Sequence, residues 1–119
     1  MELTVLGAYG PYPACGGGTS AYVVRGKNGA IALDFGSGAL GRLQQVIPLS
    51  RLQGVVLSHL HYDHICDLLP FSYYLKAAGK KIALVYPDTP CVQRSIIEDL
   101  DGFERIPLCP QMNIGEFSL

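Results

Sequence analysis

Charge is scarce in this chain: only 16% of its 119 residues are Asp, Glu, Lys or Arg, and the formal net charge is −1. The basic residues are scattered, and the one adjacent pair, Lys80-Lys81, reads as the end of a helix flanking a strand. That leaves no electrostatic footprint for a nucleic-acid backbone. Apolar runs are short, and none approaches the roughly 20 residues of a membrane-spanning helix. Met1 leads directly into a short strand pattern and not into a basic and then apolar leader, so a cytoplasmic protein with no membrane partner is expected. Cys-x-x-Cys is missing as well. Cys15, Cys66, Cys91 and Cys109 are widely spaced and, without secretory features, are expected to be free thiols. There are no repeats, low-complexity tracts or linkers, so one compact unit is expected over residues 1–119. Hydrophobic residues make up 49% of the chain, which excludes disorder. So little charge suits a heavily buried sheet, or a body that receives a covering partner.

Histidine is absent from almost the whole chain and concentrated in one window. Residues 58–67 read Ser-His-Leu-His-Tyr-Asp-His-Ile-Cys-Asp and hold all three histidines. His59, His61 and Asp63 fall at every second position, which sends their side chains to one side of an extended backbone. His64 breaks that alternation, so the chain must turn for its imidazole to join them. Val55-Val56-Leu57 before them is apolar and β-branched, the pattern of a buried strand that delivers these groups at its carboxyl end. Isolated histidines are usually core or surface residues. Four donors within six positions instead point to a metal, and imidazole with carboxylate suits zinc, manganese or iron. Cys66, two residues on, is a minor candidate for the same site.

The rest of the chain reads as alternating strands and helices. Residues 3–6 suggest a strand, and residues 7–18, with five glycines, Pro11 and Pro13, a loop. A phosphate-binding P-loop is excluded there, because Gly18 leads into the strand 20–25 and not into Lys-Ser/Thr and a helix. Gly26-Lys27-Asn28-Gly29 turns that strand into another at 30–35. Asp34 lies at its end, followed by Gly36 and Gly38. By itself it reads as a turn residue at the entry to the next helix. A helix over 39–47 is stopped by Pro48, a strand spans 53–58, and a second helix spans 68–80 with Gly79 at its end. A strand over 81–86 follows. Thr89-Pro90 then reads as cap and first residue of a helix to about Leu100. Short strands at 104–108 and 114–119 flank a turn at Pro110. Periodicity thus gives an α/β fold with a mixed β-sheet and helices.

The window His59-x-His61-x-Asp63-His64 resembles the signature of the metallo-β-lactamase superfamily, and Asp34-x-Gly36 resembles a second motif of that family. Asp-His-Ile-Cys-Asp-Leu-Leu-Pro looks like the ribonuclease Z-like branch, although Asp67 stands where that branch usually has glycine. The resemblance runs from Leu3 to Leu119 and implies half of an αββα sandwich. It also implies that His59 and His61 serve one zinc ion and Asp63 and His64 a second. Asp63 would further orient the attacking water, and Asp34 would hold the ligand loop from behind. The implied activity is hydrolysis of phosphodiesters, small ones or RNA, with thioester or lactam hydrolysis and a non-catalytic metal-binding or assembly module as alternatives. The family's further ligands, including two histidines, have no counterpart after His64. The chain is therefore expected to be a truncated amino-terminal half with a weak, open site. A half-sandwich should also expose an apolar sheet face, through which a homodimer is expected.

Overall fold

The computed structural model describes residues 1–118. Six strands form one sheet in the order in which they occur along the chain: β1 (Glu2–Gly7), β2 (Ala21–Arg25), β3 (Ala30–Phe35), β4 (Leu52–Val56), β5 (Ile82–Tyr86) and β6 (Phe103–Pro107). The first three strands pair antiparallel through short or glycine-rich connections. From β3 to β6 the pairing is parallel. Each parallel step needs a crossover, and helices supply it. They are α1 (Ala39–Gln44) after β3, α2 (Tyr62–Ile65) and α3 (Leu68–Ala78) after β4, and α4 (Val92–Glu98) after β5.

These helices cover one face of the sheet. Leu43, Leu68, Phe71, Leu75 and Ile97 pack with Val23, Phe35, Leu57, Leu84 and Phe103 in a single buried cluster. Phe71 is its hub, stacked on Phe35 at 5.2 Å between ring centroids and edge-on to Phe103 at 6.1 Å. The other face is also apolar, and the described residues cover it at its centre. There a small hairpin, β7 (Asn113–Ile114) with β8 (Phe117–Ser118), sets Ile114 and Phe117 against Ile31 and Val85. Leu3 and Val5 of β1, opposite Val24 and Tyr22, remain 62% and 57% exposed. The mixed α/β fold expected from the pattern is the one observed.

Four local expectations differ, each for a physical reason. Helix α1 ends at Gln44, not Ile47; the N–H groups of Val46 and Ile47 both turn back to Leu43 O, ahead of Pro48. A proline disfavours helical backbone in the residue before it and offers no N–H. Helix α4 begins at Val92 with Cys91 as its extended cap. Thr89 lies two residues before that cap, in a tight turn closed by its N–H on Pro87 O at 2.9 Å. The strand expected at 114–119 is the β7–β8 hairpin, reversed at Gly115 with φ +54°, and Leu119 lies outside the described residues. Helix α2, unforeseen as a helix, supplies the turn that His64 requires.

The β7–β8 hairpin is clasped from the far side of the chain. Glu116 accepts the backbone N–H groups of Lys27, Asn28 and Gly29 at 3.2, 2.7 and 3.1 Å. Three donors converging on one carboxylate give charge-assisted bonds that fix the hairpin on the sheet. Replacing Glu116 with Ala is expected to cost about 1–2 kcal/mol locally. Amide hydrogen exchange at Ile114 and Phe117 should accelerate at least several-fold while exchange in β3 to β5 stays slow; uniform acceleration would contradict this.

Candidate metal centre

The carboxyl ends of β3 and β4 meet the amino end of α2, and the singled-out residues gather there. Asp34 is the best-held of them. It is 6% exposed and sits at φ +60°, a left-handed backbone that Asp and Asn tolerate better than most residues. One of its oxygens accepts the Ser58 backbone N–H at 2.8 Å. The other accepts the Ser58 hydroxyl at 2.8 Å, the Ser20 hydroxyl at 3.3 Å and the His64 Nδ1–H at 2.8 Å. A carboxylate can only accept, so Nδ1 of His64 carries a proton, and in the neutral ring Nε2 carries the lone pair. Of the two readings of Asp34, the geometry is that of a buried carboxylate bonded to the histidine loop.

Ser58 extends this control to a second ring. Its hydroxyl donates to Asp34 and lies 3.1 Å from His59 Nδ1, from which it can accept. In the neutral ring the free nitrogen of His59 is then Nε2 as well. Sequence reasoning passed over Ser58; its only signal was a hydroxyl directly before the first histidine. The three imidazoles stand together, with ring centroids 4.7 Å apart for His59 and His61 and 3.8 Å for His59 and His64.

On its outer side, His64 Nε2 faces Asp63 Oδ2 at 3.4 Å. At that separation the nitrogen either donates a second proton to the carboxylate or, in the neutral ring, shares a metal cation with it. Zinc bonded to N and O at about 2.0–2.1 Å in tetrahedral geometry would hold them roughly 3.3 Å apart, so the pair fits such an ion. Among the described residues, however, no group of three or more His, Cys, Asp or Glu converges on one metal position. What the described residues bring together is His64 Nε2 beside Asp63 Oδ2, with the rings of His59 and His61 next to them.

The surroundings are tailored to these donors. The loop between β1 and β2 passes directly over Asp63, and a Cβ on Gly10 would come within 2.9 Å of Asp63 Oδ2. Cys66 does not face the histidines as a ready thiolate. Burial pushes its thiol pKa up, the Asp67 carboxylate adds to that, and a hydrogen bond with Ser37 only partly offsets them. Asp67 accepts the Leu40 N–H at 2.9 Å and so ties α3 to α1. Helix α4 is anchored beside the site by the Tyr86 hydroxyl, which donates to Glu98 at 2.7 Å, and by Arg94, which pairs with Asp88 at 2.6 Å. That phenol and Arg94 hold the Glu98 carboxyl below its usual range. A cavity of about 420 Å³ at the opposite end of the sheet, lined by Arg25, Lys27 and Arg51, holds none of the donors.

Comparison with known proteins agrees with this architecture. The chain is 40% identical over 73 residues to the probable metallo-hydrolase YhfI of Bacillus subtilis, covering 61% of this chain and 30% of that one. It is 36% identical over 69 residues to a ribonuclease Z of Mycobacterium bovis, covering 57% of this chain and 25% of that one. The crystal structure of YhfI superposes with a TM-score of 0.88 at 27% identity, over 98% of this chain and 50% of that one. The short form of human tRNase Z shares the fold, with a TM-score of 0.72 at 23% identity over 90% of this chain and 44% of that one. The chain thus spans about half the length of the solved relatives it matches. Residues 16–89 match the model of the metallo-beta-lactamase superfamily, and the chain belongs to that family.

Proposed function

We propose that this chain carries the first half of a two-metal phosphodiesterase site, with His59 and His61 donating to one zinc ion and Asp63 and His64 to the other. The observation that carries the reading is the His64 ring held between two carboxylates, bonded to Asp34 at 2.8 Å and facing Asp63 at 3.4 Å. This is the arrangement in which an outer partner sets the tautomer of a metal-binding histidine. A divalent ion bound there would lower the pKa of its water to near 7 and would polarise a phosphoryl oxygen. The chain's own part is orientation. Asp34 and Ser58 aim the two imidazoles, and Asp63 accepts a hydrogen bond from the attacking water. Zinc suits the mixed nitrogen and oxygen donors, as manganese or iron(II) would. Four free thiols fit a reducing, cytoplasmic setting.

The substrate is a small phosphodiester or RNA. The even charge balance favours the small diester, since among the described residues no Lys or Arg lines the hollows beside the histidines to track a polynucleotide. One observation favours a second reading for the chain by itself, a metal-binding or assembly module without turnover: catalytic zinc usually has three protein ligands, and none of the described sites has three. The exposed Leu3 and Val5 face would then serve a second copy.

Zinc titration against a chromophoric chelator tests the reading. The 119-residue chain is expected to bind zinc weakly, and His59→Ala, His61→Ala or His64→Ala to weaken it further. Each loss should exceed the roughly 10–100-fold cost of losing a supporting partner alone. Zinc affinity indifferent to all three substitutions would refute the assignment. With zinc present, cleavage of bis(p-nitrophenyl) phosphate by the chain should be slow or undetectable. Robust turnover would overturn the half-site, and faster cleavage of a thioester would reassign the substrate.

A further inference from the structure

Two hollows flank His61. One, of about 220 Å³, is lined by His59, Leu60, His61, Thr89, Cys91 and Gln93. The other, of about 290 Å³, is lined by Pro11, His61, Tyr62, Asp63 and Gln93. His61 and Gln93 are the two residues they share, so these side chains form the divide between them. We infer that Gln93 is a positioning residue that seats a phosphodiester astride this divide, one ester arm in each hollow, with a planar arm on the Tyr62 side. The inference rests on the phosphodiester reading above and narrows its substrate to diesters bearing a ring-sized aryl or nucleobase group.

The chemistry of the walls leads there. A phosphodiester presents two organic arms from one tetrahedral centre, and its two non-bridging oxygens accept hydrogen bonds. Gln93 is half-buried in the first turn of α4 and carries two amide N–H donors and no charge. It can bind a non-bridging oxygen without competing with the donor groups of His59, His61 and Asp63 for a cation. Each hollow is smaller than the roughly 300–1,000 Å³ that encloses a drug-sized molecule, so each admits about one ring. The second is walled by the Pro11 ring and by Tyr62, which is 54% exposed with no partner on its face among the described aromatic pairs. Flat apolar walls of this kind stack bases or aryl groups regardless of their hydrogen-bonding edges. The first hollow is walled by Leu60, Thr89 and Cys91.

Backbone and side-chain amide NMR of the purified chain, titrated with bis(p-nitrophenyl) phosphate and with p-nitrophenyl phosphate, tests this. The diester should shift Thr89 and Cys91 on one side, Tyr62 and Asp63 on the other, and the Gln93 side-chain NH₂. The monoester should shift one side only. Gln93→Ala should weaken diester binding about fivefold, the loss of one hydrogen bond, with an unchanged unfolding midpoint. Gln93→Asn should recover part of it. Tyr62→Ala should weaken the diester on the order of tenfold, and Tyr62→Phe should leave it unchanged. Diester shifts confined to one hollow or absent from both, or an affinity indifferent to Gln93→Ala, would overturn the proposal. If both hollows respond while zinc binding ignores the histidine substitutions, the metal assignment fails and this one stands. If zinc binding follows the histidines and only one hollow responds, the reverse holds.

Discussion

In an Asp34→Asn variant the chain should fold and yet lose most of its affinity for zinc, by a factor of about 10–100. The reason is the direction of one proton. Asp34 accepts the His64 Nδ1–H at 2.8 Å, which in the neutral ring leaves Nε2 as the bare nitrogen facing Asp63. Asparagine suits the φ of +60° at this position, and its carbonyl can still accept the Ser58 N–H at 2.8 Å. Its NH₂, however, falls opposite His64 Nδ1 and can only donate. The imidazole must then place its proton on Nε2 or turn away, and either change removes the donor pair. A serine-protease triad shows the same logic, where Asp to Asn keeps the geometry but gives the wrong tautomer and about 10⁴-fold less activity. Asp34→Ala should be worse for the fold, because it strands the Ser58 N–H and puts alanine in left-handed backbone, each costing about 1–2 kcal/mol or more. The ¹⁵N shifts of His64 separate the cases. In the native chain Nδ1 should read as protonated and Nε2 as bare, and in the Asn variant the two should exchange. Unchanged tautomer and unchanged zinc affinity together would show that Asp34 is only a turn residue.

What the sequence made legible, and what it hid, follows from the range of the interactions involved. The sheet and helix order was readable because strand runs such as Val55–Leu57 and the helical spacing of Leu40 and Leu43 are local patterns, and burial of their apolar faces decides the fold. The clustering of His59, His61, Asp63 and His64 was readable for the same reason, since six consecutive positions hold all four. Ser58 was not. Its bonds to Asp34 join residues 24 apart, and nothing beside Ser58 signals an acceptor on the neighbouring strand. Asp67 likewise bonds to Leu40, 27 residues away. Gln93 lines the same hollows as His61 although the two lie 32 residues apart, with α4 held at the sheet end by Tyr86 and Arg94. The misplaced start of α4 shows one local signal overriding another. Thr89-Pro90 is a good helix opening, but Thr89 closes a tight turn on Pro87 O and the chain runs on extended to Cys91 before the helix begins.

Gly36→Ala is expected to be the most damaging small substitution near the site. A methyl group there would overlap Asp63 O and the Thr19 hydroxyl oxygen, well inside the 3.0 Å that real Cβ atoms respect. Neither neighbour is free to retreat. The Thr19 hydroxyl accepts the Ser37 N–H at 2.5 Å, the Thr19 N–H donates to Ser37 O at 3.0 Å, and the Gly36 N–H donates to Ser20 O at 3.0 Å. Asp63 O belongs to α2, the one turn of helix that carries both Asp63 and His64. Relief therefore comes by breaking the Thr19–Ser37 lock or by pushing α2 away from Asp34. Overpacking of this kind costs about 1–3 kcal/mol, and a clash with backbone on one side belongs at the top of that range. Urea unfolding should show a loss of roughly 3 kcal/mol, and zinc affinity should fall even in the fraction that folds. Gly41→Ala is the matched control. Its Cβ would meet nothing within 4 Å, and it lies inside α1, where alanine is favoured over glycine by up to about 1 kcal/mol. Its midpoint should rise or hold steady. If the two alanine variants were equally stable, the tight approach of Gly36 to the α2 backbone, and with it the placement of Asp63 and His64, would be wrong.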